Sequence, residues 1–420
     1  MFSPEFISYL EDSVGKAHAE KAVQALSESP SVSIRMNPSK LRECPFDGAS
    51  AVPWSPFGFF LKERPVFTMD PLFHAGCYYV QDSSAMMVGE VFRRALPPEG
   101  FSKVLDLCAA PGGKTTDLAS SLRTLAGDDF SLTANEPIRS RFNVLRSNVR
   151  VWGDPRVGVT SLDPSVYGRS GESYDVIVAD VPCSGEGMFR KESKAVEQWS
   201  PENVEFCVKR QRRILEEVWP ALRPGGIMVY STCTFNRFEN DGNVKWASEV
   251  LGASVVTPHL PYDCLVRTDC GYLMLPGIAP GEGQYVAVLR KNGNGTAEMG
   301  SIRAEYPAGA EMGCPAGAEM GFPAGTGFPA GTGFPTGTGF PTGTGFPAGT
   351  GWPAGTGWPM VELDLETARR YLHGDAIAIP EAPLGMVTLC YRGFPLGPGK
   401  NLGKRCNNLY PKELRIRKDI

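Results

Sequence analysis

The sequence predicts an α/β protein: a doubly wound parallel sheet over residues 81–293, a small α+β segment before it (1–80) and a small β-rich module after it (360–420). Three observations carry this. Apolar strands alternate with helical stretches through 81–293, as in a sheet covered on both faces. A glycine-rich turn joins a buried strand to a helix in VLDLCAAPGGKTTDLAS, residues 104–120. The composition then breaks at 294–359 and recovers after it.

The elements follow in order. Near the start, Phe6, Tyr9 and Leu10 form one apolar helical face, and SVSIRMNP (31–38) alternates like a strand that ends at a proline. VLDLCAA is a strand and GKTTDLASSLRTL the helix after it. SLTANE is the next strand, and Ile138, Phe142, Leu145 and Val149 mark the following helix face. DVIVAD is a strand. Ser200 and Pro201 have the character of an N-cap and a first-turn proline before VEFCVKRQRRILEEVWPAL. GIMVYST is a strand after an RPGG turn, and QYVAVLRK (284–291) a late one. From Phe322, FPAGTG and FPTGTG recur in hexads, and 321–359 carries no charge. Glycine and proline at that density oppose helix and packed core alike, so 294–359 is expected as a flexible linker. Its aromatics leave open a second use, stacking on nucleobases. In the last module GMVTLCYRG alternates like a strand and GFPLGPGKN is expected as turns.

Composition excludes several classes. No stretch reaches the apolar length of a membrane-spanning helix, so no membrane partner is expected. MFSPEFISYLEDSVG has no basic n-region with an apolar h-region, and a cytoplasmic address is expected. Eleven cysteines, with no C-x-x-C pair and only four histidines, fit free thiols in a reducing compartment better than disulfides or zinc, and no metal is expected. A net charge of −4 argues against whole-surface nucleic-acid binding but not against local basic patches. One such patch is 391–420, where eight Lys/Arg face only Glu413 and Asp419.

The turn at 104–120 is where the chemistry begins. Lys114 and Thr115 after Gly113 suggest a P-loop, but that motif needs a glycine at 108, where Cys108 stands. A strand-to-helix glycine turn still lets backbone N–H groups approach a ligand. The next strand ends in Glu136, where such folds bind a ribose hydroxyl, so the pair favours an adenosine-bearing cofactor. Cys108, Cys183 and Cys233 all lie near strand C-termini, where open α/β sheets place their sites. Taken singly, a cysteine there is more often a small buried hydrophobe.

YYVQDSSAMM (78–87), LDLCAAPGGKTT (105–116), ANEP (134–137), DVPCSGEGMFRK (180–191) and YSTCTFNRFEN (230–240) together resemble the Nop/Sun-type RNA cytosine-5 methyltransferases, most closely the bacterial RsmF-like rRNA enzymes. SIRMNP is similar to the family's N-terminal segment, and GFPLGPGKNLGKRCNNLYPKELR to its small PUA-like module. The resemblance implies a Rossmann-like class I methyltransferase domain using S-adenosyl-L-methionine. It implies Cys233 as the nucleophile that adds to cytosine C6, Cys183 as the group that assists release, and Asp180 on the cytosine N3/N4 edge. Cys108, Ala109, Ala110, Pro111, Gly112, Gly113, Lys114, Glu136 and Asp180 would surround the cofactor, with Asp163 of SLDPS on the adenine. Residues 1–80 and 360–420 would bind RNA. Small-subunit rRNA is the expected substrate and a monomer the expected state; a tRNA substrate and a non-catalytic RNA-binding assembly factor are the alternatives. The target base must leave its stack. Arg139, Arg141, Arg146 and Arg150 are candidates for RNA phosphates, with a solvated helix face as the competing reading. Two departures stand out. LMLPGIAPGEG lacks the histidine common before the family's late G-E-G turn. A coil of about sixty-five residues would span roughly 45 Å, which leaves the docking of the last module open.

Overall fold

The computed structural model describes residues 2–97, 100–293 and 357–417. The 294–356 part of the expected linker and the last three residues of the basic tail lie outside them.

The N-terminal segment holds helices α1 (Pro4–Val14) and α2 (Lys16–Ala25), then strands β1 (Val32–Met36), β2 (Ser50–Ala51) and β3 (Gly58–Leu61), the one-turn α3 (Pro71–His74) and β4 (Tyr78–Val80). Ser3 caps α1 through the N–H of Phe6, with Pro4 in the first turn. The four strands pair in the order β2-β3-β1-β4.

The central domain runs α4 (Ser83–Ala95), β5 (Lys103–Asp106), α5 (Gly113–Ala126), β6 (Ser131–Asn135), α6 (Arg139–Trp152), β7 (Val157–Thr160), α7 (Pro164–Arg169), β8 (Tyr174–Asp180), α8 (Ser193–Gln198), α9 (Pro201–Val218), β9 (Leu222–Thr232), α10 (Asp241–Val250), β10 (Ala253–Val256), β11 (Leu265–Arg267), β12 (Gly271–Met274) and β13 (Gln284–Lys291). Strands β9-β8-β5-β6-β7 are parallel neighbours, the doubly wound sheet that the alternation predicts. The late strand departs from an all-parallel sheet. β13 lies antiparallel beside β9, and β12, β11 and β10 extend that edge antiparallel. The short connections from β11 to β13 replace helical crossovers there.

Side chains of each central strand alternate between two cores. Ile177 and Ala179 of β8 join Met228 and Tyr230 of β9 and the faces of α1, α2 and α9. Val176 and Val178 join Ile227 and Val229 and the faces of α4, α5 and α6. Both faces of the sheet are covered, so these strands are apolar throughout.

The last module holds β14 (Met360–Glu362), α11 (Leu365–His373), β15 (Gly385–Tyr391), β16 (Phe394–Asn401) and β17 (Cys406–Asn408), paired β14-β15-β16-β17. The expected turns at GFPLGPGKN are instead the strand β16. Its prolines survive because β17 pairs only with Gly399–Asn401, so Pro395 and Pro398 meet β15 alone. Its glycines fit because neighbours press on it: a Cβ at Gly397 would stand 2.5 Å from Tyr371 Oη, and one at Gly399 2.7 Å from Cys406 Sγ. The module also docks. Leu72, Phe67, Ile34 and Tyr78 share one core with Leu363, Tyr371, Leu372 and Leu396, and Arg369 Nε donates to the carbonyl of Met69 at 2.9 Å.

Candidate active site

Asp180 at the end of β8 is in register with Ser231 near the end of β9. The loops that follow therefore leave the sheet side by side. Cys183 lies three residues beyond one partner and Cys233 two beyond the other, and their Sγ atoms stand 3.3 Å apart. Burial and the contact with Cys233 hold the Cys183 thiol well above its ordinary pKa, the contact being the larger cause. Cys183 therefore keeps its proton at neutral pH.

Asp180 faces the same space and is held by three donors. Lys114 Nζ lies 2.9 Å from Oδ2. Ser231 Oγ and Gln284 Nε2 donate to Oδ1 at 2.7 and 3.1 Å. Burial pulls the Lys114 pKa down, but Asp180 and Cys233 outweigh it and the ammonium stays charged. A residue grouped with the cofactor loop in the sequence thus reaches across to the carboxylate beside the thiols.

Beneath the thiols, buried hydrogen bonds bind the two loops. Gly187 N donates to the carbonyl of Cys233 at 2.7 Å. Glu186 accepts from Trp199 Nε1, from the N–H groups of Phe235 and Asn236, and from Asn236 Nδ2. Glu239 accepts from Ser184 N, Gln211 Nε2 and Asn236 Nδ2 at 3.0, 2.7 and 2.8 Å. Burial pushes Glu239 up to about 7 despite these donors. Arg190 pins the late G-E-G turn: its Nε lies 2.8 Å from Glu282 Oε2 and its Nη2 2.5 Å from the carbonyl of Gly281. That ion pair occupies the turn before which the family's histidine is lacking.

The glycine turn sits at the exit of β5. Gly112 adopts φ 111, a left-handed conformation that suits glycine, and opens α5. The first-turn N–H groups of that helix have no partner within it and are free to donate to an anion or a polar edge. Ala110-Pro111 is a cis peptide bond. Ala109 N donates to the carbonyl of Asn135, tying the turn to the end of β6. Glu136 follows there, 1% exposed. Its Oε1 accepts the N–H of Ile138, and its Oε2 lies 3.3 Å from Arg141 with no hydrogen bond among the described residues. A buried carboxylate with an oxygen to spare beside a glycine cradle fits a cofactor that carries a ribose. Cys108 lies inside the turn, its thiol pushed up chiefly by burial. Asp163 caps α7 through Ser165 N and lies 3.4 Å from Arg213; its side chain is half exposed. Leu162, just before it, accepts from Asn135 Nδ2, so the segment lies against the end of β6.

The structure thus brings Cys183, Cys233, Asp180 and Lys114 together, with Cys108–Gly113 and Glu136 on the neighbouring strand ends. Glu186, Asn236 and Glu239 were not singled out from the sequence. Two glutamates inside the two cysteine motifs were the available signal, but nothing local distinguishes a buried acid from a solvated one. Arg35 of SIRMNP was missed too. Fully buried, it donates to Gln81 Oε1 at 2.7 Å and to the carbonyl of Gly113 at 3.1 Å, bracing the start of α5.

Comparison with known proteins matches all three parts of the chain. The family model described as 16S rRNA methyltransferase RsmB/F matches residues 93–289. The N-terminal domain of 16S rRNA methyltransferase RsmF matches 2–83, and the methyltransferase RsmF PUA domain matches 359–416. All three parts of the chain are thus similar to one family, the RsmB/F methyltransferases. Relatives include the ribosomal RNA small subunit methyltransferases F of Cronobacter sakazakii, 37% identical over 255 residues, and of Serratia proteamaculans, 38% identical over 251. Each match covers 57% of this chain but 51% of the relative, so the chain spans about half the length of these relatives. Among solved structures, a methyltransferase homolog protein from Pyrococcus horikoshii aligns with TM-score 0.56 at 25% identity, over 69% of this chain and 99% of that one. NSun6 from the same organism, solved with SFG, aligns with TM-score 0.58 at 20% identity, over 70% and 99%. The last likeness speaks for the fold alone.

Proposed function

We propose that this chain is an S-adenosylmethionine-dependent RNA cytosine-5 methyltransferase acting on small-subunit ribosomal RNA. The observation that carries the reading is the pair of thiols, Cys183 and Cys233, with Sγ atoms 3.3 Å apart on two strand-exit loops beside Asp180. A binding module needs no such constellation. The relatives' names supply the ribosomal substrate, and the methyltransferase family match, with the glycine turn beside the buried Glu136, supports the cofactor.

S-adenosylmethionine, held by the 108–114 turn and Glu136, with Asp163 toward the adenine, would supply an electrophilic methyl group. The chain's own residues would do the rest. Cytosine C5 is a weak nucleophile. Cys233 Sγ, as thiolate, adds to C6: an S–C bond forms and electron density moves to C5. Asp180 holds the N3/N4 edge and favours protonation at N3 during the addition. Lys114 keeps that carboxylate oriented and places positive charge near Cys233. Once C5 carries its methyl group, the C5 proton passes to water, its bonding pair restores the C5–C6 double bond, the S–C bond breaks with its electrons returning to Cys233, and the N3 proton goes back to Asp180. Cys183, a protonated thiol in contact with Cys233, assists that release. A flipped or unpaired base is required, at a cost of a few kcal/mol.

The test uses Cys183→Ser and Cys233→Ser, each incubated with cofactor and small-subunit rRNA. Cys183→Ser is expected to accumulate an RNA–protein adduct that survives denaturing electrophoresis. Cys233→Ser is expected to form none and to lose activity roughly a thousandfold or more. Adduct in Cys233→Ser alone would reverse the two roles. No adduct and no methyl transfer by the wild-type chain on rRNA or tRNA would favour the assembly-factor reading.

A further inference from the structure

We propose that the arginine face of α6 is a phosphate track for single-stranded RNA. It would run from the cofactor turn to a cavity at the seam with the C-terminal module, and the cavity would take a nucleobase. The inference rests on the RNA-substrate reading and adds where the strand lies outside the reacting base.

Helix α6, RSRFNVLRSNVRVW, carries four arginines and no acid, in a chain whose acids outnumber its Lys and Arg. Phe142, Leu145, Val149 and Trp152 face inward; Arg139, Arg146 and Arg150 are exposed. Their spacing of seven and four residues puts them on one face, roughly 10 and 6 Å apart along the axis. That is the scale of phosphate steps along an extended strand. The guanidinium groups of Arg139 and Arg146 both lie over the ring of Phe142, at 5.1 and 5.7 Å. No carboxylate lies within ion-pair distance of either among the described residues, whereas Arg141 pairs with Glu136.

Helix stability does not explain this arrangement. Arginines in the first turn oppose the helix macrodipole. An anion along the face relieves this.

The two ends of the helix say what kind of anion. At one end α6 leans on the cofactor turn: Arg141 Nη2 donates to the carbonyl of Ala110 at 2.9 Å. At the other, Asn148, Val151 and Trp152 line a cavity of about 550 Å³. Phe73, Tyr79 and Tyr410 add aromatic walls, and Arg415 and Arg417 add charge; Glu413 is the one acid in the lining. Aromatic walls with arginines suit a stacked base and its phosphate. A charged peptide would use the arginines but not the rings.

The test is fluorescence anisotropy with the full chain and a fluorescein-labelled single-stranded RNA of about twenty mixed-sequence nucleotides, titrated against salt. In Arg139→Gln/Arg146→Gln the affinity is expected to fall about tenfold, and the slope of log K against log salt to shrink by about 1.4, two single-strand contacts. S-adenosylmethionine affinity by calorimetry and the melting temperature should hold. Phe73→Ala should weaken binding severalfold with the salt slope unchanged. An unaltered slope in the double variant, a melting temperature that falls with the binding, or equal arginine-dependent binding of poly-glutamate would each overturn the track. Methyl transfer by the wild type with an unaltered slope in the variant would sink the track alone. An arginine-dependent slope with no methyl transfer would keep the track and sink the catalytic reading.

Discussion

Gly187 occupies a position where no side chain fits. A Cβ there would stand 2.9 Å from the carbonyl oxygen of Cys233 and 3.0 Å from that of Glu282, both backbone atoms. Gly187→Ala is expected to destabilise by about 1–3 kcal/mol and to lower kcat more than it changes cofactor affinity, because the atom displaced belongs to Cys233. Denaturant unfolding and single-turnover methylation would check both. Glu239 offers a second prediction. Its carboxyl in the folded state titrates at about 7, above the ordinary value, because it is buried. The folded chain therefore binds more protons than the unfolded chain between about pH 4.5 and 7. Its contribution is most favourable below that window and is lost as pH rises through 7. Asp106, buried and also raised to about 7, acts with the same sign. The melting temperature should fall from pH 5 to 8, and Glu239→Gln should flatten the fall whatever it does to absolute stability. A slope unchanged in the variant would remove Glu239 as its source.

Elements set what residues cannot. Cys183 and Cys233 are fifty residues apart, and only the parallel pairing of β8 with β9, in one register, brings their loops together. A slip of one residue would turn every side chain of β9 to the opposite face of the sheet. The loop after β9 is anchored back on its own strand: Tyr230 Oη donates to the carbonyl of Glu239 at 2.7 Å. Tyr230→Phe removes that donor from a buried carbonyl. It should cost about 1–3 kcal/mol and raise amide exchange across 233–240 before it affects the rest of the sheet. Uniform exchange along the chain would argue against a local anchor.

Across the whole molecule, the N-terminal sheet and the C-terminal module share one core, although residues 294–356 separate the module from the central domain in sequence. Leu72 of α3 lies in that core with Tyr371, Leu372 and Leu396, and His74 Nδ1 stands 3.2 Å from Tyr410 Oη. Leu72→Ala should therefore cost about 2–5 kcal/mol. It should expose 360–417 to protease although the substitution lies outside that module. If the module's cleavage rate is the same in variant and wild type, the shared core does not hold it in place.

The alternation of apolar strands and helices specified the doubly wound centre, because burial on both faces leaves a local record in every strand. The glycine turn, Glu136 and the strand-end cysteines were legible for the same reason: strand exits are marked by the residues themselves. Three things were not. GFPLGPGKN had the composition of turns, yet it is a strand because one-sided pairing spares its prolines and close neighbours require its glycines. The antiparallel edge at β13 follows from how short connections fold back on β9. Nothing local marks Arg35, Glu186 and Glu239 as buried, and burial becomes visible only when distant elements close over them. The sequence alone determined which residues stand at which strand end. The tertiary structure decided which of those ends meet, because register and burial are properties of the packed chain.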